Sequence, residues 1–185
     1  MLYAQLHLTL PPWIHDQVDA DAVYETAEKR IALAVRLSQL NVSSQSGGPF
    51  GAAVFNQVGR LLGVGVNRVV PHNCSAAHAE VMALATSQQR LQKFPLNDDG
   101  ERITLATSAQ PCSMCYGALI WAGIDELLIA ARADDVQTLA GFDEGPLPAD
   151  WRGELEKRGI EVRTDILRDE ACAVLKEYGE SGLVY

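Results

Sequence analysis

Residues 103–131 read ITLATSAQPCSMCYGALIWAGIDELLIAA. The stretch opens on Ile103-Thr104-Leu105-Ala106-Thr107 and closes on Glu126-Leu127-Leu128-Ile129-Ala130-Ala131, two apolar runs of strand length. Between them, Pro111 suits the first position of a helix, because its missing N–H would find no partner there anyway. Strand, helix and strand in this order imply two parallel strands joined by a crossover helix. Cys112 and Cys115 then stand one turn apart on one helix face, where both sulfurs can converge on one metal ion. The positive end of the helix favours their thiolate forms.

Working upstream, His78-Ala79-Glu80 precedes Val81-Met82-Ala83-Leu84-Ala85, a run of helix formers, so His78 and Glu80 open a second helix. One imidazole and two sulfurs make three ligands. A structural zinc site closes its tetrahedron with four, whereas a catalytic site keeps three and leaves the fourth position to water or substrate. Glu80 is then the proton acceptor for that water. It lies two positions from His78 and would face elsewhere in a regular helix, so its stem has to curl back over the metal. Two plainer readings compete: a Cys-x-x-Cys redox pair, and a structural Cys₃His site completed by Cys74. The redox pair leaves the His-x-Glu string unexplained.

Together, His78-x-Glu80 and Pro111-Cys112-x-x-Cys115 resemble the signature of the zinc-dependent cytidine and nucleobase deaminase superfamily. Gly48-Pro49-Phe50-Gly51-Ala52-Ala53-Val54, Gly65-Val66-Asn67 and Gly117-Ala118-Leu119-Ile120-Trp121-Ala122 resemble its free-base and tRNA-adenosine branch, over roughly residues 20–145. Gly141-Phe142-Asp143-Glu144-Gly145 is similar to the Gly-Phe-Asp-acid segment of bacterial guanine deaminases. The resemblance implies one Zn2+ per chain, held by His78, Cys112 and Cys115. It also implies a three-layer α/β/α sandwich with a five-stranded mixed sheet of the cytidine deaminase type.

The rest of the chain suits that architecture as a single domain, 1–185, with an N-terminal arm at 1–19 and a C-terminal segment at 146–185. A helix is expected from Ala20 to Asn41, with Val23, Ala27, Ile31, Ala34 and Val35 at helical spacing. Strands Ala52–Phe55 and Leu61–Val66 flank a short, Gly-containing turn and pair antiparallel. A turn at Asn97-Asp98-Asp99-Gly100, a fifth strand at Ile160–Leu167 and a last helix at Asp169–Tyr178 complete the pattern. No apolar run is long enough for a membrane span, and the first residues lack the basic-then-apolar pattern of a signal peptide. A cytoplasmic protein without membrane partners is expected, with Cys74 and Cys172 as free thiols. His7, His15 and His72 lack partner spacing and are expected to be structural or surface residues.

The formal net charge of −9 and a pI near 4.8 speak against nucleic acid as a partner, since polynucleotide binding draws on a basic surface. A small nucleobase is expected instead. Guanine presents two adjacent donors, N1–H and the exocyclic amine, which one carboxylate can accept together. Glu144 is the candidate, as reader and as second proton carrier, against the plainer reading of a surface carboxylate. Asn67 can donate to and accept from a base edge, or can serve as an Asx turn before Pro71. Phe50 can stack on a purine or belong to the core. Ala79 and Asp143 are counted with the substrate contacts. Trp121 is expected in packing, its indole N–H within reach of the pocket wall.

The expected reaction is hydrolysis of guanine to xanthine and ammonia, with Glu80 moving the protons. The alternatives are a tRNA adenosine deaminase, or a deaminase of cytosine or ammeline type. Resemblance to guanine deaminases further implies a homodimer in which the C-terminal segment crosses over, with Tyr185 as a lid residue.

Overall fold

A computed structural model describes residues 2–182. In chain order the elements are α1 (Ile14–Gln17), α2 (Ala27–Ser43), β1 (Gly51–Phe55), β2 (Leu61–Val66), α3 (Val69–His72), α4 (Ala79–Leu91), β3 (Thr104–Ala109), α5 (Ser113–Trp121), β4 (Glu126–Ala131), α6 (Ala133–Ala140), α7 (Trp151–Glu156), β5 (Glu161–Arg163) and α8 (Arg168–Glu180). The strands form one sheet in the order β2-β1-β3-β4-β5. β1 runs antiparallel to β2 and β3, while β3, β4 and β5 are parallel. This is the expected mixed sheet, and it agrees with the strand, Cys helix and strand reading of residues 103–131.

Period-two alternation on the strands builds two cores, one on each face of the sheet. Ala53, Phe55, Ala106, Leu128 and Ala130 pack with residues of α2, α6 and α8. Ala52, Val54, Leu105, Leu127 and Ile129 pack with residues of α4, α5 and α7. Because both faces are covered, β1 and β4 are apolar almost throughout, while β3 buries Thr104, Thr107 and Ser108, whose hydroxyls are all hydrogen-bonded. No described helix is long and apolar enough to cross a membrane.

α4 lies unusually close to β2, for a reason written in Leu61-Leu62-Gly63-Val64-Gly65-Val66. A Cβ on Gly65 would stand 2.0 Å from the carbonyl oxygen of Ala79 and 2.3 Å from the amide nitrogen of Ala83. Only glycine lets the backbone of α4 rest on the strand. That contact fixes the N-terminus of α4, which carries His78 and Glu80.

Several boundaries differ from expectation. α2 begins at Ala27, because the Thr26 hydroxyl accepts from the Lys29 N–H at 3.2 Å and caps it there. The preceding residues pair with the β1–β2 turn instead, through a Val23–Arg60 bridge and the Tyr24 N–H donating to the Gly59 carbonyl at 2.8 Å. Val23 matched the helical period and still lies outside the helix. β5 ends at Arg163, since Asp165 and Leu167 take left-handed φ values of 66° and 52° that a continuing strand does not allow. α6 and α7 were not expected. Capping holds their starts: the Asp135 carboxylate accepts from the Arg132 N–H at 2.9 Å, and Asp150 accepts from the Gly153 N–H at 3.0 Å.

Candidate active site

Both metal-ligand strings lie at helix starts, one residue earlier than a regular helix reading puts them. His78 is the N-cap of α4, with extended backbone angles of −69° and 156°. Cys112 is the N-cap of α5, so Pro111 precedes the cap rather than opening the helix. The Cys112 sulfur accepts from the Cys115 N–H at 3.4 Å and satisfies a helix donor that would otherwise be orphaned. Because His78 is extended, Glu80 need not curl back over a turn. The chain itself swings His78 and Glu80 toward one place.

There His78 Nδ1 lies 3.5 Å from Cys112 Sγ, and Glu80 Oε2 lies 3.4 Å from Cys115 Sγ. The ligand atoms of His78, Cys112 and Cys115 all lie within 4.8 Å of one another. A tetrahedral zinc ion with arms of about 2.0–2.3 Å needs roughly 3.6 Å between a nitrogen and a sulfur ligand, so the donor set fits. Cys74 is not in this cluster, which removes the structural Cys₃His reading among the described residues. Cys172 is likewise a free thiol.

The electrostatics split the two thiols: Cys115 is pushed well up, first by the Cys112 side chain beside it and then by burial, so the helix start alone does not hold both as thiolates. The Cys112 thiol is pulled down to about 4, first by the Cys115 side chain beside it and then by His78, against the effect of burial. The His78 imidazole is raised by the same Cys112 contact. Burial pushes the Glu80 carboxyl up, and the negative Cys112 adds to the rise. A carboxyl so placed holds and releases protons nearer neutrality than one in water does.

A cleft of about 260 Å³ opens over these groups. Phe50, Asn67, Ala79, Asp143 and Glu144 all line it, together with His78, Glu80 and Cys112. Glu144 is half-buried, and its carboxyl is raised to about 8 by burial and by the charges of Glu80 and Cys112. The Asp143 carboxylate accepts from the Gly145 N–H at 2.8 Å and shapes its own turn. The Asn67 side-chain oxygen accepts from the Val69 N–H at 3.3 Å, so this residue forms the Asx turn and borders the cleft at once. Phe50 meets Phe142 edge-on, with ring centroids 5.3 Å apart, and Phe142 stacks on Tyr178 at 6.0 Å.

Trp121 does not reach the cleft. It is 74% exposed at the C-terminal end of α5, where it borders a separate apolar groove with Val81, Leu84 and Phe94. The helix turns its N-terminus to the metal site, and nine residues of rise carry the indole away. The lid assignment of Tyr185 lies outside the described residues. Gln110 and Ser113 also line the cleft, as does Phe142 of the segment 141–145. Their nearness to Cys112 and Glu144 in sequence was the available signal.

A model of the cytidine and deoxycytidylate deaminase zinc-binding region matches residues 24–131. The chain belongs to that deaminase family. The deaminase is 38% identical to guanine deaminase from Bacillus subtilis over 137 residues, 74% of this chain and 82% of that protein. It is 30% identical to tRNA-specific adenosine deaminase from Buchnera aphidicola, covering 70% of this chain and 79% of the relative. Among solved structures, guanine deaminase from Nitrosomonas europaea superposes with a TM-score of 0.91 at 46% identity, covering 97% of this chain and 99% of that one. A structure solved with 2,6-diaminopurine reaches 0.92 at 47% identity, covering 98% and 96%. The deaminase is therefore a zinc enzyme, with His78, Cys112 and Cys115 positioned as its ligands.

Proposed function

We propose that this deaminase hydrolyses guanine to xanthine and ammonia. The observation that carries the reading is Glu144, whose half-buried carboxyl borders the same cleft as Glu80 and, once ionised, offers two acceptor oxygens to a ring. Guanine supplies the matching N1–H and amine donors. The relatives named guanine deaminase at 38% and 46% identity support the same substrate. A cleft of about 260 Å³ lies below the ~300–1,000 Å³ usual for drug-sized ligands, which suits a free base.

A zinc ion, when bound, supplies a Lewis acid that lowers the pKa of a water in its open fourth position to ~7. Glu80 takes the first proton of the attacking water and delivers it to ring N3, which makes C2 electrophilic. The water oxygen then bonds to C2. Glu80 carries the second proton to the exocyclic amine, the C2–N bond breaks, and ammonia leaves with xanthine behind. Glu144 grips N1–H and the amine, Asn67 binds another base edge, and Phe50 packs against the ring. Ala79 and Asp143 complete the wall.

A homodimer in the cytoplasm, acting in purine breakdown, is part of the same proposal. The exposed Trp121 and Phe94 beside the groove of α4 and α5 support association, and light scattering on the purified protein tests it.

The decisive assay measures ammonia release from guanine, cytosine, adenine, their nucleosides and ammeline, with zinc content determined in parallel. Turnover of guanine that vanishes in Glu80→Ala is the expected result. Silence on guanine from a fully zinc-loaded protein overturns the reading.

A further inference from the structure

Asn41 lies on α2, away from the metal ligands, and is fully buried. Its side-chain amide nitrogen donates to two carbonyls: that of Gly48 at 2.8 Å and that of Asn67 at 2.9 Å. Its side-chain oxygen accepts from the Ser46 hydroxyl at 2.8 Å, and that hydroxyl in turn accepts from the Trp13 indole N–H at 3.1 Å. Every polar atom of the Asn41 side chain is therefore occupied, and its orientation is fixed by its neighbours rather than by choice.

The partners of Asn41 matter because of what they adjoin. Gly48 leads through Pro49 to Phe50, and Asn67 follows β2 at the cleft. Gly47 lies so near that a Cβ there would stand 1.9 Å from the Asn67 carbonyl oxygen and 2.7 Å from the Asn41 amide nitrogen. The Asn67 N–H donates to the Phe50 carbonyl at 3.1 Å, which joins the two segments directly. Arg68 closes the far side by donating to the Ser46 carbonyl.

We infer that Asn41 is a positioning residue for substrate binding: it sets the Asn67 side chain by holding the Asn67 and Gly48 carbonyls, and Trp13 of the N-terminal arm locks it through Ser46. The inference rests on the reading of Asn67 as a base-binding residue. A single buried amide tying two cleft-lining segments leaves Asn67 one backbone position. Removing that amide frees two carbonyls in a dry interior, which then seek other partners by moving. Displacement of a positioning group by about 1 Å can cost ~100-fold even when the group lies far from the chemistry.

The test is a double-mutant cycle on guanine deamination. Asn41→Ala is expected to raise KM about tenfold or more while kcat falls less, with zinc content unchanged. In an Asn67→Ala background the same substitution is expected to change kcat/KM by less than about twofold. Ser46→Ala and Trp13→Phe, which leave the Asn41 side chain in place, are expected to give smaller KM rises that also vanish in that background. Equal losses in both backgrounds overturn the inference, as does loss of zinc from Asn41→Ala. If Asn41→Ala does not fold, silence of both Ser46→Ala and Trp13→Phe overturns it. Full activity in Asn67→Ala alone overturns the base-binding reading of Asn67, and the inference with it.

Discussion

The two faces of the sheet contribute different things to one cleft. From the face of α4 and α5 come two helix N-termini carrying His78, Glu80, Cys112 and Cys115. From the face of α2, α6 and α8 come Phe142, stacked on Tyr178 of α8, and the Gly141 turn that ends α6 and leads to Glu144. One face holds the reacting groups on backbone caps. The other delivers Glu144, the proposed reader of the base, on a loop backed by aromatic packing. Metal chemistry tolerates little displacement of its ligands, so those sit on helix starts. Substrate choice tolerates variation, and a loop can vary while a cap cannot.

Substitutions on the first face are expected to remove the reaction outright. Glu80→Gln keeps zinc but loses both proton transfers. Ammonia release should fall by ~10²–10⁴-fold or more, as for an essential general acid–base group. Cys115→Ser is expected to abolish zinc retention together with turnover, measured as metal per chain after gel filtration. Its circular dichroism should keep the native shape, because the two apolar cores on the sheet are built from residues other than the metal ligands. Loss of zinc together with the native spectrum would mean that the two faces are less separable than the packing indicates.

Substitutions on the second face are expected to act on binding. Glu144→Gln should raise KM for guanine by roughly 10- to 100-fold, the scale of hydrogen bonds to a charged group, with zinc content and melting temperature unchanged. Its folded-state pKa is raised to about 8, so the accepting carboxylate form grows as pH rises. kcat/KM for guanine should therefore increase with pH along a limb lying above the ordinary carboxylate range, to which Glu80, raised in the same direction, also contributes; Glu144→Gln should shrink that limb without removing it.

Smaller effects sharpen the comparison from the scaffold side. Gly65→Ala forces a Cβ into the backbone of α4. It should cost ~1–3 kcal/mol of stability, read from urea unfolding, and should lower activity by shifting His78. Asp135 belongs to the other face, where Arg168 reaches it with two nitrogens, each at 2.7 Å. Arg168 holds its carboxyl down at about 2, against an unfolded value of ~3.9. A depressed pKa contributes stability above the unfolded value and loses it as pH falls toward the folded one. Asp135→Asn should melt roughly 2–4 °C lower at neutral pH, the difference closing between pH ~4 and about 2, with turnover at neutral pH unaffected.

The legibility of the sequence follows how local each signal is, on either face. β2 and β4 fall where the apolar runs of Leu61–Val66 and Glu126–Ala131 place them, and the metal ligands follow from residue type and spacing. Local signals sufficed there. The start of α2 was misread because Val23 fits the helical period, while Thr26 carried the overriding cap. Trp121 was misread because sequence proximity to Cys115 says nothing about which end of a helix faces the site. α6 and α7 are short, held by Asp135 and Asp150, and give too few turns for a period to show. Asn41 gave no signal at all. Its partners Ser46 and Gly48 are local, but its bond to Asn67 spans 26 positions and exists only once the chain is folded.

The close approach at Gly65 can be restated as a tolerance. α4 touches β2 backbone to backbone, with no side chain interposed whose rotamer could change. Between the sheet and the His78 Nδ1 there remain only the torsions of the imidazole itself, whereas a helix resting on a leucine or a methionine would add theirs. The metal position thus inherits the stiffness of a peptide plane rather than that of a packed side chain.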